Sequence, residues 1–278
     1  MNIDLSHGGK LLVVDLDLTV LCGDDYDGRW LSERSERAFD AARKAGNVVM
    51  VATARPPLTA FDLVHRIGAS ACAYHNGGVV DLDCAHSSVQ EVADNSNVGN
   101  PNILRFGVSV ARCVEICKSL LEQMPDLRMG IEYDDTRYMN FDLHEVWPNQ
   151  QYTRTDFSDL REGMADKIMM FPTDLQKERL KSLLPKDMSL LISEDVLWLL
   201  MNPKATKLNA MREACRHFDI SMNDTIAFGD DLIDIDMLQH AGCGVAVANA
   251  KPEVKAIANE LCPSNNDDGV AQWIEAHL

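Results

Sequence analysis

The chain has 278 residues, 46% hydrophobic and 25% charged, a balance that fits a globular protein of one large or two ordinary domains. Its 43 acidic residues outnumber 26 basic ones and give a net charge of −17, which argues against sequence-nonspecific nucleic-acid binding and against docking on anionic membranes. No basic-then-apolar leader opens the sequence, the longest aliphatic stretches are strand-sized, and the eight cysteines form no CxxC pair; a soluble cytoplasmic protein with reduced core thiols is expected.

The first element is LLVVDLDLTVL, Leu11 to Leu21. Four consecutive aliphatic residues, β-branched at Val13 and Val14, predict a buried parallel strand. Asp15 and Asp17 follow at its carboxyl end, where open α/β sheets place their ligands. Alternation along an extended chain turns both carboxylates one way, so their repulsion must be relieved by a bound cation or by protonating one of them. Mg²⁺, a hard cation with oxygen ligands, meets the first requirement; plain turn chemistry also produces a strand-end DxD.

An Asp/Gly-rich loop, Cys22 to Gly28, leads to a helix with Ser32 as N-cap and Gly46 as its stop. A strand at Asn47 to Ala52 and a helix opened by Pro56-Pro57 and running to about Ile67 come next. Short strands at Ala71 to Tyr74 and Val79 to Leu82 flank the turn His75-Asn76-Gly77-Gly78. The rhythm then changes. A polar stretch, Asp83 to Asn102, precedes a helix from about Arg105 to Gln123 and a hairpin, Leu127 to Tyr133 with Arg137 to Phe141, joined at Asp134-Asp135. A strand at Lys167 to Phe171, a helix from about Asp174 to Leu184 and a second hairpin, Met188 to Ile192 with Val196 to Met201 across Ser193-Glu194-Asp195, complete this module. From Pro203 the alternation resumes: helix Thr206 to Phe218, strand Thr225 to Phe228, helix Asp231 to His240, strand Gly244 to Ala248, and helices near Pro252 to Asn259 and Gly269 to His277. The fold class expected is α/β, a Rossmann-like parallel-sheet core at 1–81 and 203–278 carrying an inserted α+β cap domain at 82–202.

Four further segments sit where a strand should end or a helix begin: Thr53-Ala54-Arg55 after VVMVA, Asn76-Gly77-Gly78 after ACAYH, Gly229-Asp230-Asp231 after TIAF with Asp234 beyond, and Lys207 just after the insert. In this order, DLDLTVL, VATAR, PKATKLNAM and FGDDLIDIDML resemble the four motifs of the haloacid dehalogenase (HAD) superfamily of phosphatases. The resemblance is closest to the Cof-type branch, with a cap inserted between motifs two and three, and the tail GVAVANAKPEVKAIANELCPSNNDDGVAQWI reads like that branch's ending.

The resemblance implies that Asp15 is a nucleophile forming an aspartyl-phosphate and that Asp17 is the general acid and base, protonated while Asp15 is ionised. It implies phosphoryl contacts from Thr53 and Lys207, further substrate contacts from Arg55, Asn76, Gly77 and Asn249, and Mg²⁺ bound by Asp15, Asp17, Asp230 and Asp234, with Asp17 offering its carbonyl and Asp234 bracing water or lysine. The chain departs from the pattern at Leu18, Ala54, Leu208, Asp231 and Ile233, none of them a reacting group. The implied activity is hydrolysis of a small phosphorylated metabolite, a sugar phosphate, with specificity in the cap. The alternatives are a sugar-phosphate mutase, which would gather cap arginines, and a non-catalytic binding protein on the same scaffold. No partner protein or oligomeric state follows from the sequence.

Overall fold

The computed structural model describes residues 3–25, 28–95, 99–193 and 196–278. Tyr26 and Asp27 of the expected Asp/Gly-rich loop, and Glu194 and Asp195 of the second hairpin turn, lie outside the described residues. The first third of the chain forms β1 (Leu11–Val14), α1 (Glu33–Lys44), β2 (Val48–Ala52), α2 (Pro57–Ile67), β3 (Ala71–Tyr74) and β4 (Val79–Asp81). The middle forms α3 (Val89–Ala93), β5 (Ile103–Arg105), β6 (Val108–Ser109), α4 (Val110–Gln123), β7 (Arg128–Tyr133), β8 (Thr136–Met139), β9 (Thr153–Arg154), β10 (Met164–Ala165), β11 (Lys167–Phe171), α5 (Asp174–Leu183), β12 (Ser189–Ser193) and β13 (Leu197–Met201). The last part forms α6 (Lys207–Phe218), β14 (Thr225–Gly229), α7 (Ile235–His240), β15 (Cys243–Val247), α8 (Pro252–Ile257), β16 (Glu260–Cys262) and α9 (Gly269–His277).

Two compact units result. One takes the chain up to Val89, Asn102–Leu104 and Thr206–Leu278; the other takes Gln90–Pro101 and Arg105–Ala205. The first unit is built on an eight-stranded sheet of order β16-β15-β14-β1-β2-β3-β4-β5. Strands β16 to β3 in that order are parallel and β4 is antiparallel to β3. Every residue of β1, β3, β14 and β15 is buried, as in strands covered on both faces, and two helix groups supply the cover: α1 with α2 and α9, and α6 with α7 and α8. Helix α1 starts where expected because the Ser32 side chain accepts the Ser35 N–H at 3.0 Å.

The second unit is an open α+β module with a six-stranded sheet of order β12-β13-β11-β7-β8-β9. Met129, Ile131, Tyr133, Ile168, Met170, Trp198 and Leu200 point from one face into a core shared with Cys113, Ile116, Cys117 and Leu120 of α4 and Leu180 of α5. The opposite face carries Met139, Phe141, Met169, Phe171, Leu199 and Met201. The β7–β8 hairpin turns at Asp134 and Asp135, both with positive φ (49° and 52°), as a two-residue hairpin turn demands. All eight cysteines are buried and free of disulfides, and no helix among the described residues is long and apolar enough to cross a membrane.

Three expectations change. Helix α4 begins at Val110 rather than near Arg105, because Ser109 caps it and the residues before it are drawn into β5 and β6. The polar segment 83–102, of which Ser96, Asn97 and Val98 lie outside the described residues, holds α3, and its end belongs to the first unit, where the Leu82 N–H donates to the Asn102 carbonyl at 2.8 Å. The helix starting at Pro252 stops at Ile257, and Glu260–Cys262 is an edge strand beside β15.

Candidate active site

Strand β1 lies between β14 and β2, the point where the chain order of the sheet reverses, and an open α/β sheet leaves its ligand crevice at the carboxyl ends of such strands. Asp15 sits at that end of β1, its N–H donating to the Phe228 carbonyl of β14 at 3.1 Å. The chain then makes a wide turn, Leu16–Val20, closed by the Leu21 N–H on the Leu16 carbonyl at 2.9 Å. Leu18 takes φ 57°, a left-handed conformation that glycine adopts freely and leucine holds against about 1–2 kcal/mol of strain. This is the backbone reason a glycine belongs at this position in the resembled motif, and Asn249 secures the strained turn by donating from its side-chain nitrogen to the Leu18 carbonyl at 2.7 Å.

Lys207, 1% exposed, is the first residue of α6 and places its ammonium 2.6 Å from Asp15 Oδ1 and 2.6 Å from Asp234 Oδ1. Asp234 uses its other oxygen to accept the N–H groups of Asp230 and Asp231, each at 3.1 Å. Thr19 donates its hydroxyl to Asp230 Oδ1 at 2.8 Å, with a longer contact of 3.4 Å to Asp15 Oδ2. Asp15, Asp230 and Asp234 are all buried and bring carboxylate oxygens within 4.8 Å of one another. One lysine does not compensate three close carboxylates. Burial, reinforced by Asp234, Asp230 and Asp17, pushes the Asp15 carboxyl well above the usual carboxylate range despite Lys207, and burial with Asp234 pushes Asp230 up to about 7. A divalent cation fits this donor set, since it would return both groups to the ionised form that oxygen coordination needs. Asp234, expected among the metal residues, has both oxygens occupied by the lysine and two backbone N–H groups, so its place is that of a brace.

Asp17 departs from expectation. Arg55 grips it with two bonds, Nε to Oδ2 at 2.8 Å and Nη2 to Oδ1 at 2.6 Å, and Arg29 adds Nη1 to Oδ1 at 2.8 Å. These guanidiniums outweigh burial and hold the carboxyl below its usual range, whereas the sequence reading required Asp17 to be protonated and Asp15 ionised. In this state the two shifts run the other way. Arg55 thus meets Asp17, and Arg29 is a site residue the sequence reading missed, as is Thr19.

Thr53 ends β2 fully buried, its hydroxyl accepting the Arg55 N–H at 3.1 Å and its carbonyl the Asn76 N–H at 2.8 Å. Asn76 has φ 59°, and its side-chain oxygen is buried with no donor among the described residues, an arrangement characteristic of ligand sites. Gly77 has φ 98°, and a Cβ there would lie 2.4 Å from the Thr206 carbonyl oxygen, at the cap of the helix that carries Lys207. Gly77→Ala should therefore cost at least about 1–3 kcal/mol and shift Lys207, read as a lower urea midpoint together with lower activity; a variant as stable and active as the parent would remove glycine's role there. Asn249 donates to the Leu18 carbonyl and accepts the Asn265 N–H at 3.0 Å, so its side chain braces the turn after Asp17. Of the departures from the motif pattern, Asp231 pairs with Lys251 and Leu208 is buried on α6.

A model of the haloacid dehalogenase-like hydrolase family matches residues 12–274. Phosphatase YwpJ of Bacillus subtilis (strain 168) is 26% identical over 290 residues, with 97% of this chain and 99% of that protein covered. The 5-amino-6-(5-phospho-D-ribitylamino)uracil phosphatase YcsE of the same organism is 24% identical over 275 residues, with 95% of this chain and 94% of that protein covered. Among solved structures, the HAD subclass IIB sugar phosphatase BT4131 shares the fold with a TM-score of 0.75 at 19% identity, over 96% of this chain and 98% of that one.

Proposed function

Because the chain belongs to the haloacid dehalogenase-like hydrolases and is a phosphatase, we propose that it is a Mg²⁺-dependent phosphomonoester hydrolase, working in the cytoplasm on a small phosphorylated metabolite with a sugar-like leaving group. The observation that carries this reading is the buried Lys207 bridging Asp15 and Asp234, with Asp230 alongside. Asp15 attacks phosphorus in line to give an aspartyl-phosphate. Lys207 and Thr53 hold the phosphoryl oxygens, since loose phosphoryl transfer depends on positioning and charge. Asn76 and Gly77 shape the same end of the sheet. Asp17 serves the two proton transfers: the arginine pairing must loosen for it to protonate a leaving alkoxide, and holds the ionised form it needs to take a proton from water. Asp15, Asp230 and the Asp17 carbonyl would hold Mg²⁺, which would supply neutralising charge to the phosphoryl oxygens.

The leaving-group class is supported by the relatives: YcsE is a 5-amino-6-(5-phospho-D-ribitylamino)uracil phosphatase and BT4131 a sugar phosphatase. The insert supplies discrimination in this reading, because the phosphate chemistry belongs wholly to the first unit. A mutase is less favoured: of the insert's seven arginines, Arg105, Arg112, Arg128, Arg137 and Arg161 are bonded to groups of the insert itself, which leaves Arg154 and Arg179 as candidates for a bisphosphate. Phosphate release from a panel of phosphorylated metabolites tests the reading, and a panel on which only phosphoanhydrides or phosphoproteins are cleaved would sink it.

The metal has its own test. In the metal-free protein the Asp230 carboxyl titrates near 7, above the 3.9 or so of an unfolded aspartate, so folding favours the proton and metal-free stability falls as pH rises through about 4 to about 7. A cation needs the ionised form and competes with that proton. Mg²⁺ affinity should drop as pH falls below about 7, by up to about tenfold per unit for a single proton. Calorimetric titration on both sides of pH 7 measures this, with chelator-treated enzyme inactive until Mg²⁺ is restored.

A further inference from the structure

Arg29 reaches Asp17 from a loop the four motifs do not include. That loop closes on itself through paired bonds between Cys22 and Trp30, 2.9 Å and 3.0 Å, and is tied to the segment before α9. Asn265 donates to the Leu21 carbonyl at 2.9 Å, the Gly23 N–H donates to Asn266 Oδ1 at 2.8 Å, and Asn266 donates to Asp24 Oδ1 at 3.2 Å. The Arg29 side chain is only 8% exposed; one arm donates to the Asp24 carbonyl at 3.2 Å and the other to Asp17 Oδ1. Burying a guanidinium costs free energy that a structural loop has no need to spend, and here one arm of the fork meets a carboxylate oxygen at the end of β1 while the other is tied to the loop backbone.

The donor count at Asp17 gives that aim a meaning. Among the described residues, Oδ1 takes Arg29 Nη1 and Arg55 Nη2, one donor for each lone pair, while Oδ2 takes Arg55 Nε. Without Arg29 the carboxylate would keep only the fork of Arg55, and Oδ1 would hold an open lone pair as well.

We propose that Arg29 is a positioning residue that saturates Asp17 Oδ1 and so leaves Oδ2 as the atom that takes the proton from the attacking water in dephosphorylation. The assignment rests on the aspartyl-phosphate reading above. In that step the water O–H bond breaks and its proton passes to Asp17 Oδ2. The water oxygen bonds to phosphorus, and the bond from phosphorus to Asp15 breaks, returning its electron pair to the Asp15 carboxylate. Loss of Arg29 leaves the carboxylate on the Arg55 fork but opens a second acceptor site, on Oδ1, that can draw the attacking water off line, which penalises this second half-reaction most. A 4-nitrophenolate leaving group needs little acid assistance, so the first half-reaction is affected far less.

Rapid-quench kinetics of the Mg²⁺-loaded enzyme with 4-nitrophenyl phosphate tests this in Arg29→Gln and Arg29→Lys. Arg29→Gln should give a burst of nitrophenolate at nearly the parental rate, followed by a steady state lowered about 10²-fold, with phosphoenzyme accumulating. Arg29→Lys keeps a cation against Oδ1 but loses the second arm to the Asp24 carbonyl, so a smaller loss confined to the same step is expected. It carries the test alone if Arg29→Gln does not fold. An unchanged steady state, or burst and steady state falling together, would overturn the assignment while leaving the phosphatase reading intact. Full activity in Asp15→Asn would overturn both.

Discussion

Under the proposed mechanism Asp15→Asn should lower turnover by about 10⁴-fold or more while the protein stays folded, because the amide cannot attack phosphorus and Asp17 is held by two arginines. The stability half of this result is as informative as the kinetic half. Asp15 is buried among Asp17, Asp230 and Asp234, and its carboxyl is pushed upward by burial in spite of Lys207. Replacing it with a neutral side chain of the same shape removes one of the crowded carboxylates, and Lys207 keeps Asp234 at 2.6 Å. The melting temperature should therefore hold or rise. Phosphate release measures the first half and thermal denaturation the second. A folded Asp15→Asn protein turning over within about tenfold of the parent would take the nucleophile's role away from Asp15.

Lys207→Ala should fail in both respects. Its ammonium is the one cation bonded to Asp15 and Asp234 among the described contacts, and both carboxylates are deeply buried. Removing one partner of a buried ion pair leaves uncompensated charge and costs about 3–5 kcal/mol. Removing a cation that stabilises transferring phosphoryl charge costs about 10²–10³ in kcat. The two losses can be separated. Lys207→Met with Asp234→Asn restores much of the stability, since an apolar stem and a neutral amide replace the broken pair, yet should remain inactive. Urea denaturation alongside phosphate release reads both, and a Lys207→Ala protein within about 1 kcal/mol of the parent would mean that the ion pair is not what holds this end of the sheet.

Much of this was legible in the sequence. Runs such as LLVV and VVMVA gave the central strands because burial on both faces leaves no polar positions to break the pattern. Asp15, Thr53, Lys207 and Asp230 were legible as strand-end and helix-start chemistry. What escaped depended on contacts distant in sequence or on backbone angle. Glu260–Cys262 is three residues long and becomes a strand only because β15 lies beside it. Arg29 and Asp17 are 12 positions apart, but only the loop's anchorage to Asn265 and Asn266, more than two hundred residues on, brings the guanidinium to the carboxylate. The resemblance implied a substrate contact from Asn249, and its amide nitrogen is bonded to the strained carbonyl of Leu18. The resemblance put the proton on Asp17, and the shifts run the other way because Asp17 receives the arginines.

The position of β1 in the sheet also sets an order of assembly. Lys207 lies 192 residues beyond Asp15, and Asp230 lies 211 residues beyond Thr19. A nascent chain therefore carries its reactive aspartate through most of synthesis with no lysine against it, and β1 has one edge open until Thr225–Gly229 leaves the ribosome. The insert has its own sheet and core, so it can fold meanwhile and shorten the effective span that must be closed. Truncated products ending before Thr225 would expose an apolar strand edge and carry no chemistry, which makes them substrates for quality control instead of stray hydrolases.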